Sequence, residues 1–293
     1  MVLAANRGNR VGMLLRRMTY LPQLQAFARF LGLRGLLRKW YYHLALPRGG
    51  IVPVNLGDIY ARFYAHTPSE FRMIEGCGEL HILEKLISVL RPGDSAYDVG
   101  ACIGLYTVLL AKAVGPEGQV IAVEPDSENY RKLRENIQLN NLTNVRVFRK
   151  ALGEAKAQKK LYRGHDITDS SLLGPPTGKD IGNEVVEMVD GDSFRESENL
   201  PIPRVVKVDV EGYEHAVLQG LHRTLGMPAC ELVCCEIHST ALPAEVTPER
   251  IVSFLRSLGF SRIECDASPG YLLFHITAHK AASGGSSSGP TYD

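Results

Sequence analysis

The first fifty residues contain no acid. Nine arginines and lysines come before Asp58, and the remainder then holds 24 basic and 32 acidic residues, so the net charge of +1 hides a basic head on an acidic body. Such a head either meets an anionic partner (a membrane surface, phosphate or nucleic acid) or is a solvated face with no partner. Long apolar runs are missing too: none reaches the ~18 residues that a membrane span requires. The six cysteines, at 77, 102, 230, 234, 235 and 265, form no C-x-x-C pair, which removes the usual zinc spacing. Cys234 and Cys235 lie in an apolar run and read as reduced core residues, which fits a reducing, cytoplasmic setting. No internal repeat, Asn-Pro-Pro-Tyr-like segment or aromatic base-flipping platform is visible, so no nucleic-acid partner is expected.

What is present reads as strands alternating with helices. Residues 11–21 and 23–33 look like two short helices separated by Pro22, with arginines among large apolar residues. Residues 11–45 therefore suit a helix on an anionic membrane surface, a cap on the core or a self-association contact. Residues 51–56 and 59–64 read as a hairpin across Gly57-Asp58, and 79–90 as an amphipathic helix. Strands follow at 95–99, 119–123, 145–152, 204–210 and 231–237, with helices at 105–114, 127–139, 214–225 and from Pro248. Short strand candidates fall at 160–162 and 185–188, and a closing hairpin at 263–266 and 271–277. The expectation is an α/β, doubly wound, mostly parallel sheet with an antiparallel edge hairpin. The expected division is an N-terminal helical and hairpin extension (1–78), a catalytic domain (79–280) and a flexible tail (281–293).

Chemistry concentrates at the ends of the strands. In the first turn, Asp98, Gly100, Ala101 and Gly104 form D-x-G-A-x-x-G, where Gly100 permits close backbone approach and Gly104 close helix packing. A dinucleotide site would favour G-x-G-x-x-G, so that a helix N-terminus meets a pyrophosphate. An acid at the strand end disfavours phosphate and favours a cationic cofactor such as S-adenosylmethionine, with Asp98 facing it. The bland alternative is a plain tight turn. Glu124 ends the second strand 26 residues later, placed to accept two ribose hydroxyls or simply to be an exposed acid. Ala151 and Leu152 are small and apolar, suited to lining an adenine.

Two further clusters face the same cleft. In Lys207-Val-Asp209-Val-Glu211-Gly-Tyr-Glu214, alternation puts Lys207, Asp209 and Glu211 on one face. Burying them unpaired would be costly, so they form either a polar site or a structural ion network. His238 closes the fifth strand, as a proton acceptor or as a structural histidine.

The run YDVGACIGLYTVLLAK, then VIAVEPDSENYRKLRENIQLNNLTNV, KALGE, VVKVDVEGYEHAVLQGL and CCEIH resembles the FkbM family of S-adenosylmethionine-dependent methyltransferases, from about Glu79 to Phe274. The resemblance implies a class I methyltransferase (Rossmann-like) fold and O-methylation of a hydroxyl on a sugar or glycan, a polyketide or a similar metabolite. It implies that Asp98, Gly100 and Glu124 contact the cofactor and that Asp209 and Glu211 border the reaction centre. Asp169-Ser170-Ser171-Leu172 falls where the family has a serine-containing loop, but the Asp190-Gly191-Asp192 segment after it departs from the pattern and receives no role. His238 or Asp209 would take the acceptor's proton, with Lys207 orienting the carboxylates. No metal is expected, although Asp209 and Glu211 together leave a Mg²⁺-assisted variant open. The competing reading is a non-catalytic module of the same fold, peripheral to a membrane or held by a protein partner through its basic head.

Overall fold

The structure is a computed structural model that describes residues 46, 50–75, 80–176, 178, 180–267 and 273–281. The helices expected within 11–45, and the flexible tail beyond 281, lie outside the described residues. Strands β1 (Ile51–Leu56) and β2 (Ile59–Tyr64) form the expected antiparallel hairpin. Its alternation works as a one-sided sheet should, burying Val52, Val54, Leu56, Ala61 and Phe63. The free edge of β2 is covered by side chains instead of a strand. Asn140 Oδ1 accepts from the Arg62 N–H (2.9 Å), and Asn136 Oδ1 from the Tyr64 N–H (2.8 Å).

Helix α1 (Pro68–Ile74) follows the hairpin and has no counterpart in the sequence reading. Its signal is nonetheless in the sequence: Thr67-Pro-Ser-Glu70 is a capping box with proline at the first position. Helix α2 (Leu80–Val89) buries Ile82, Leu83 and Leu86.

The central sheet has seven strands. In chain order they are β3 (Ser95–Val99), β4 (Gln119–Val123), β5 (Val145–Phe148), β9 (Val205–Val208), β10 (Leu232–His238), β11 (Phe260–Ala267) and β12 (Leu273–Lys280). In space the order is β11-β12-β10-β9-β3-β4-β5, with β12 antiparallel to both neighbours and the β10-β9-β3-β4-β5 pairs parallel. Successive residues feed opposite cores. Ala96, Val120, Val205 and Leu232 face the hairpin, α2, α3 (Leu105–Val114) and α4 (Ser127–Leu139). Tyr97, Ile121, Val206 and Val233 pack with the buried apolar side chains of α5 (Gly191–Ser197), α6 (Glu214–Gly220), α7 (His222–Gly226) and α8 (Pro248–Ser257). A sheet buried on both faces explains the continuous apolar strands. The doubly wound sheet with an antiparallel edge is as expected.

Two expectations change. The strand read as 145–152 breaks at Arg149-Lys150. Its second half becomes β6 (Ala151–Gly153), which pairs with β8 (Asn183–Asp190) in a separate three-stranded sheet completed by β7 (Ala157–Tyr162). The helix read as 214–225 breaks at Leu221 because Asp192, from α5, captures its second half. The carboxylate accepts from the Arg223 N–H (2.7 Å), the Thr224 N–H (2.8 Å) and the Thr224 hydroxyl (2.5 Å). It thereby caps α7, which has no side-chain cap of its own.

Candidate active site

Connections leave β3 and β9 in opposite directions, so their C-terminal ends form the switch point where doubly wound sheets open a crevice. A cavity of about 690 Å³, open mouth included, lies there. Gly100, Glu124, Ala151, Leu152, Asp209 and Glu211 all line it.

The turn after β3 is built for close approach. Gly100 has φ +79°, and a Cβ on it would lie 1.7 Å from the Asp209 carbonyl oxygen. Cys102 also takes a left-handed conformation (φ +49°), which is costly for a side-chain-bearing residue. The bend aims the Cys102 N–H at Glu124 Oε2 (2.7 Å), while Glu124 Oε1 accepts from the Asp126 N–H (2.9 Å). Burial pushes the Glu124 carboxyl up to about 8, against the pull of these two backbone bonds. Two of about four carboxylate acceptor positions are thus filled from behind, leaving two for a diol on the cavity side.

Asp98 does not face the cavity. It is fully buried at the end of β3, where Oδ2 accepts from the Thr107 hydroxyl (2.5 Å) and Oδ1 lies 3.8 Å from Lys207 Nζ. Burial raises its pKa and the Lys207 charge opposes that rise. It lies behind the turn and shares the Lys207 ammonium with the Gly100 carbonyl. Ala101 and Gly104 also lie outside the cavity lining. Ala101 is buried with its N–H on the Val123 carbonyl, and a Cβ on Gly104 would meet Leu133 Cδ1 at 2.4 Å, so this glycine seats α4.

Lys207 is buried with its ammonium on the Gly100 carbonyl (3.1 Å), Asp209 Oδ2 (3.0 Å) and the face of the Tyr106 ring. It ties the turn after β3 to the end of β9. The chain leaves β9 at Val208, and Glu211 turns at φ +52°. The side chains of Asp209 and Glu211 converge on His238, not through strand alternation but through that turn.

His238 ends β10 with Nδ1 on Glu214 Oε1 (2.7 Å) and Nε2 3.3 Å from Glu211 Oε1 and 3.9 Å from Asp209 Oδ1. Burial alone would lower the pKa of the imidazole, but the bonds to Glu211 and Glu214 and the Asp209 charge push it up to about 11. Burial raises the Glu211 carboxyl against the bond from His238. Burial likewise acts to raise Asp209, but the charges of Lys207 and His238 win and lower it.

Sequence reasoning missed Glu214 as a partner of this histidine, and it did not resolve which residues of 153–203 roof the cavity. Ile167, Thr168, Ser170 and Leu172 line the cavity from the loop after β7. That loop is pinned by the Asn129 amide on the Ile167 carbonyl (2.8 Å) and the Ser171 hydroxyl on the Glu211 carbonyl (3.1 Å). The Asp169–Leu172 segment, unassigned from sequence, is part of this roof.

Sheet order, crevice and glycine turn together define a class I methyltransferase fold. The chain belongs to the FkbM methyltransferase family: the profile described as the Methyltransferase FkbM domain matches residues 98–262. Hexuronic acid methyltransferase AglP of Haloferax volcanii is 28% identical over 215 residues, covering 72% of this chain and 84% of that protein. The 31-O-demethyl-FK506 methyltransferase FkbM of Streptomyces tacrolimicus is 28% identical over 253 residues, covering 74% of this chain and 88% of that protein. A solved structure of a methyltransferase FkbM from Methylobacillus flagellatus KT aligns with a TM-score of 0.46 and 14% identity, over 93% of this chain and 59% of that one. The cofactor of this family is S-adenosylmethionine, and the cavity lining is compatible with it: the buried carboxylate of Glu124, a glycine at the turn, and apolar Ala151 and Leu152. Among the described residues no helix is long and apolar enough to cross a membrane.

Proposed function

We propose that the chain transfers a methyl group from S-adenosylmethionine to a hydroxyl of a sugar, glycan or polyketide-like small molecule. The observation that carries this reading is a single cavity lined both by the cofactor-type residues Gly100, Glu124, Ala151 and Leu152 and by the carboxylates Asp209 and Glu211. When bound, S-adenosylmethionine supplies a methyl on a cationic sulfur: the carbon–sulfur bond breaks as the carbon–oxygen bond forms, and the electron pair stays on sulfur. The protein's task is then positioning, exclusion of water and removal of one proton.

Glu124 would accept the ribose hydroxyls, and Gly100 would let the backbone approach. Asp209 and Glu211 would accept the hydrogen bond of the incoming hydroxyl and then its proton, a contribution of about 10²–10⁴-fold. Glu211 is the better proton acceptor of the two, because burial raises its carboxyl while Lys207 and His238 hold Asp209 low. His238 does not take that proton. Surrounded by Glu211, Glu214 and Asp209 it is itself cationic, and it serves to aim Glu211. Similarity to enzymes named for a hexuronic acid and for 31-O-demethyl-FK506 supports a small oxygen-bearing acceptor.

The test is calorimetric binding of S-adenosylhomocysteine, followed by transfer of labelled methyl to small-molecule extracts and identification of the product. Saturable binding and a labelled O-methyl product are expected. Absence of binding at millimolar ligand would remove the proposal, as would a product methylated on nitrogen.

A further inference from the structure

Three ligand-type side chains converge beside the cofactor wall. One ring nitrogen of His238 and one oxygen each of Asp209 and Glu211 all lie within 4.8 Å of one another. The three residues come from separate places: the end of β9, the turn after it and the end of β10. Asp209 and Glu211 line the cavity, so the cluster opens onto the space where the acceptor must enter.

The histidine is oriented as a ligand would be. Its Nδ1 is engaged by Glu214, a carboxylate with no solvent exposure whose Oε1 also accepts from the Gly212 N–H (2.9 Å). That leaves Nε2 directed at Asp209 and Glu211, and a cation bound there would take the place of the Nε2 proton that these carboxylates otherwise hold. A carboxylate holding one imidazole nitrogen so that the other faces an ion is the usual arrangement behind metal-binding histidines.

Among the described residues, Asp209, Glu211, Glu214 and Glu236 each place an oxygen within 3.9 Å of the His238 ring, a concentration of carboxylate that favours a cation there.

We infer that Asp209, Glu211 and His238 form a binding site for one divalent cation of the Mg²⁺/Mn²⁺ class, with Glu214 positioning the histidine. Two carboxylates and one imidazole with open positions suit these oxygen-preferring ions. The inference rests on the methyltransferase reading only for its purpose: the ion would hold the acceptor's hydroxyl at the carboxylates.

The full chain, stripped with chelator, is titrated with Mn²⁺ while the free ion is followed by electron paramagnetic resonance. S-adenosylhomocysteine binding is measured on the same samples by calorimetry. One Mn²⁺ per chain is expected, displaced by excess Mg²⁺. Glu211→Gln and His238→Ala should each weaken it at least about tenfold, and Glu214→Gln by about 10–100-fold. All three variants should still bind S-adenosylhomocysteine, which shows that they are folded. Mn²⁺ left free at millimolar concentration by a chain that binds S-adenosylhomocysteine would overturn the site, as would variants with wild-type Mn²⁺ affinity. Failure of S-adenosylhomocysteine binding with Mn²⁺ still captured would instead count against the methyltransferase reading alone.

Discussion

Glu124→Gln is the substitution that tests the cofactor wall most directly. The carboxylate is 5% exposed, anchored from behind by the Cys102 and Asp126 N–H groups, and turned with its remaining acceptor positions to the cavity. Hydrogen bonds to a charged group are roughly twice as strong as neutral ones, about 2 against 1 kcal/mol. Glutamine keeps one oxygen and replaces the other by a donor. One ribose contact should therefore be lost and the other reduced, together about 3 kcal/mol, or on the order of 10² in affinity for S-adenosylhomocysteine. The pH dependence gives a second signature. Diol binding favours the ionised carboxylate, and in the free protein this group titrates near 8. Affinity should rise with pH by up to about tenfold per unit until about 8 and then level. The folded pKa lies above the unfolded value of 4.5, so the effect on folding has the opposite direction. The group favours the native state below 4.5, and that contribution is lost as pH rises through 8. In Glu124→Gln both dependences should disappear. Calorimetry between pH 6 and 9, with urea midpoints at pH 5 and 8.5, measures both. Wild-type affinity in the variant, or an unchanged pH slope, would refute the assignment of Glu124 to the ribose.

Other substitutions separate support from contact. Gly100→Ala combines a left-handed conformation, about 1–2 kcal/mol, with a methyl driven into the Asp209 carbonyl, about 1–3 kcal/mol, so urea denaturation should show a loss of about 2–5 kcal/mol together with weakened S-adenosylhomocysteine binding. Thr107→Val removes the hydroxyl that serves Asp98, and a loss of about 1.5–3 kcal/mol in stability is expected from urea midpoints, with turnover per folded molecule nearly retained. Lys207→Met leaves Asp98 and Asp209 without their shared cation. It should cost about 3–5 kcal/mol by the same measurement, and less at low pH, where the carboxyls protonate.

Local pattern and tertiary contact contributed different parts of this protein. Apolar alternation fixed the hairpin and continuous apolar runs fixed the central strands, because a sheet buried on two faces leaves no position for a polar side chain in Val120–Val123. Helical stripes fixed α2, α4 and α8, and the glycine spacing of the first turn placed the crevice. These are properties of neighbouring residues, so the sequence alone determines them. The break of the third strand at Arg149-Lys150 is different. It depends on β8, more than thirty residues away, offering β6 a partner. The break at Leu221 likewise depends on a carboxylate from another helix. Asp98 reads as a cavity residue from its place at a strand end, yet Thr107 and Lys207 hold it behind the turn. Glu214 reads as one more charged residue on a helix, yet its bond across 24 positions sets the orientation of His238. In each case the outcome depends on which oxygen or nitrogen the folded chain brings within 3 Å, a distance that no local pattern encodes. The first turn, from Asp98 to Gly104, reads from the sequence alone as a cofactor-binding element. That Glu124 and Gly100 line the cavity while Asp98 lies buried behind it was decided by burial and by long-range hydrogen bonds.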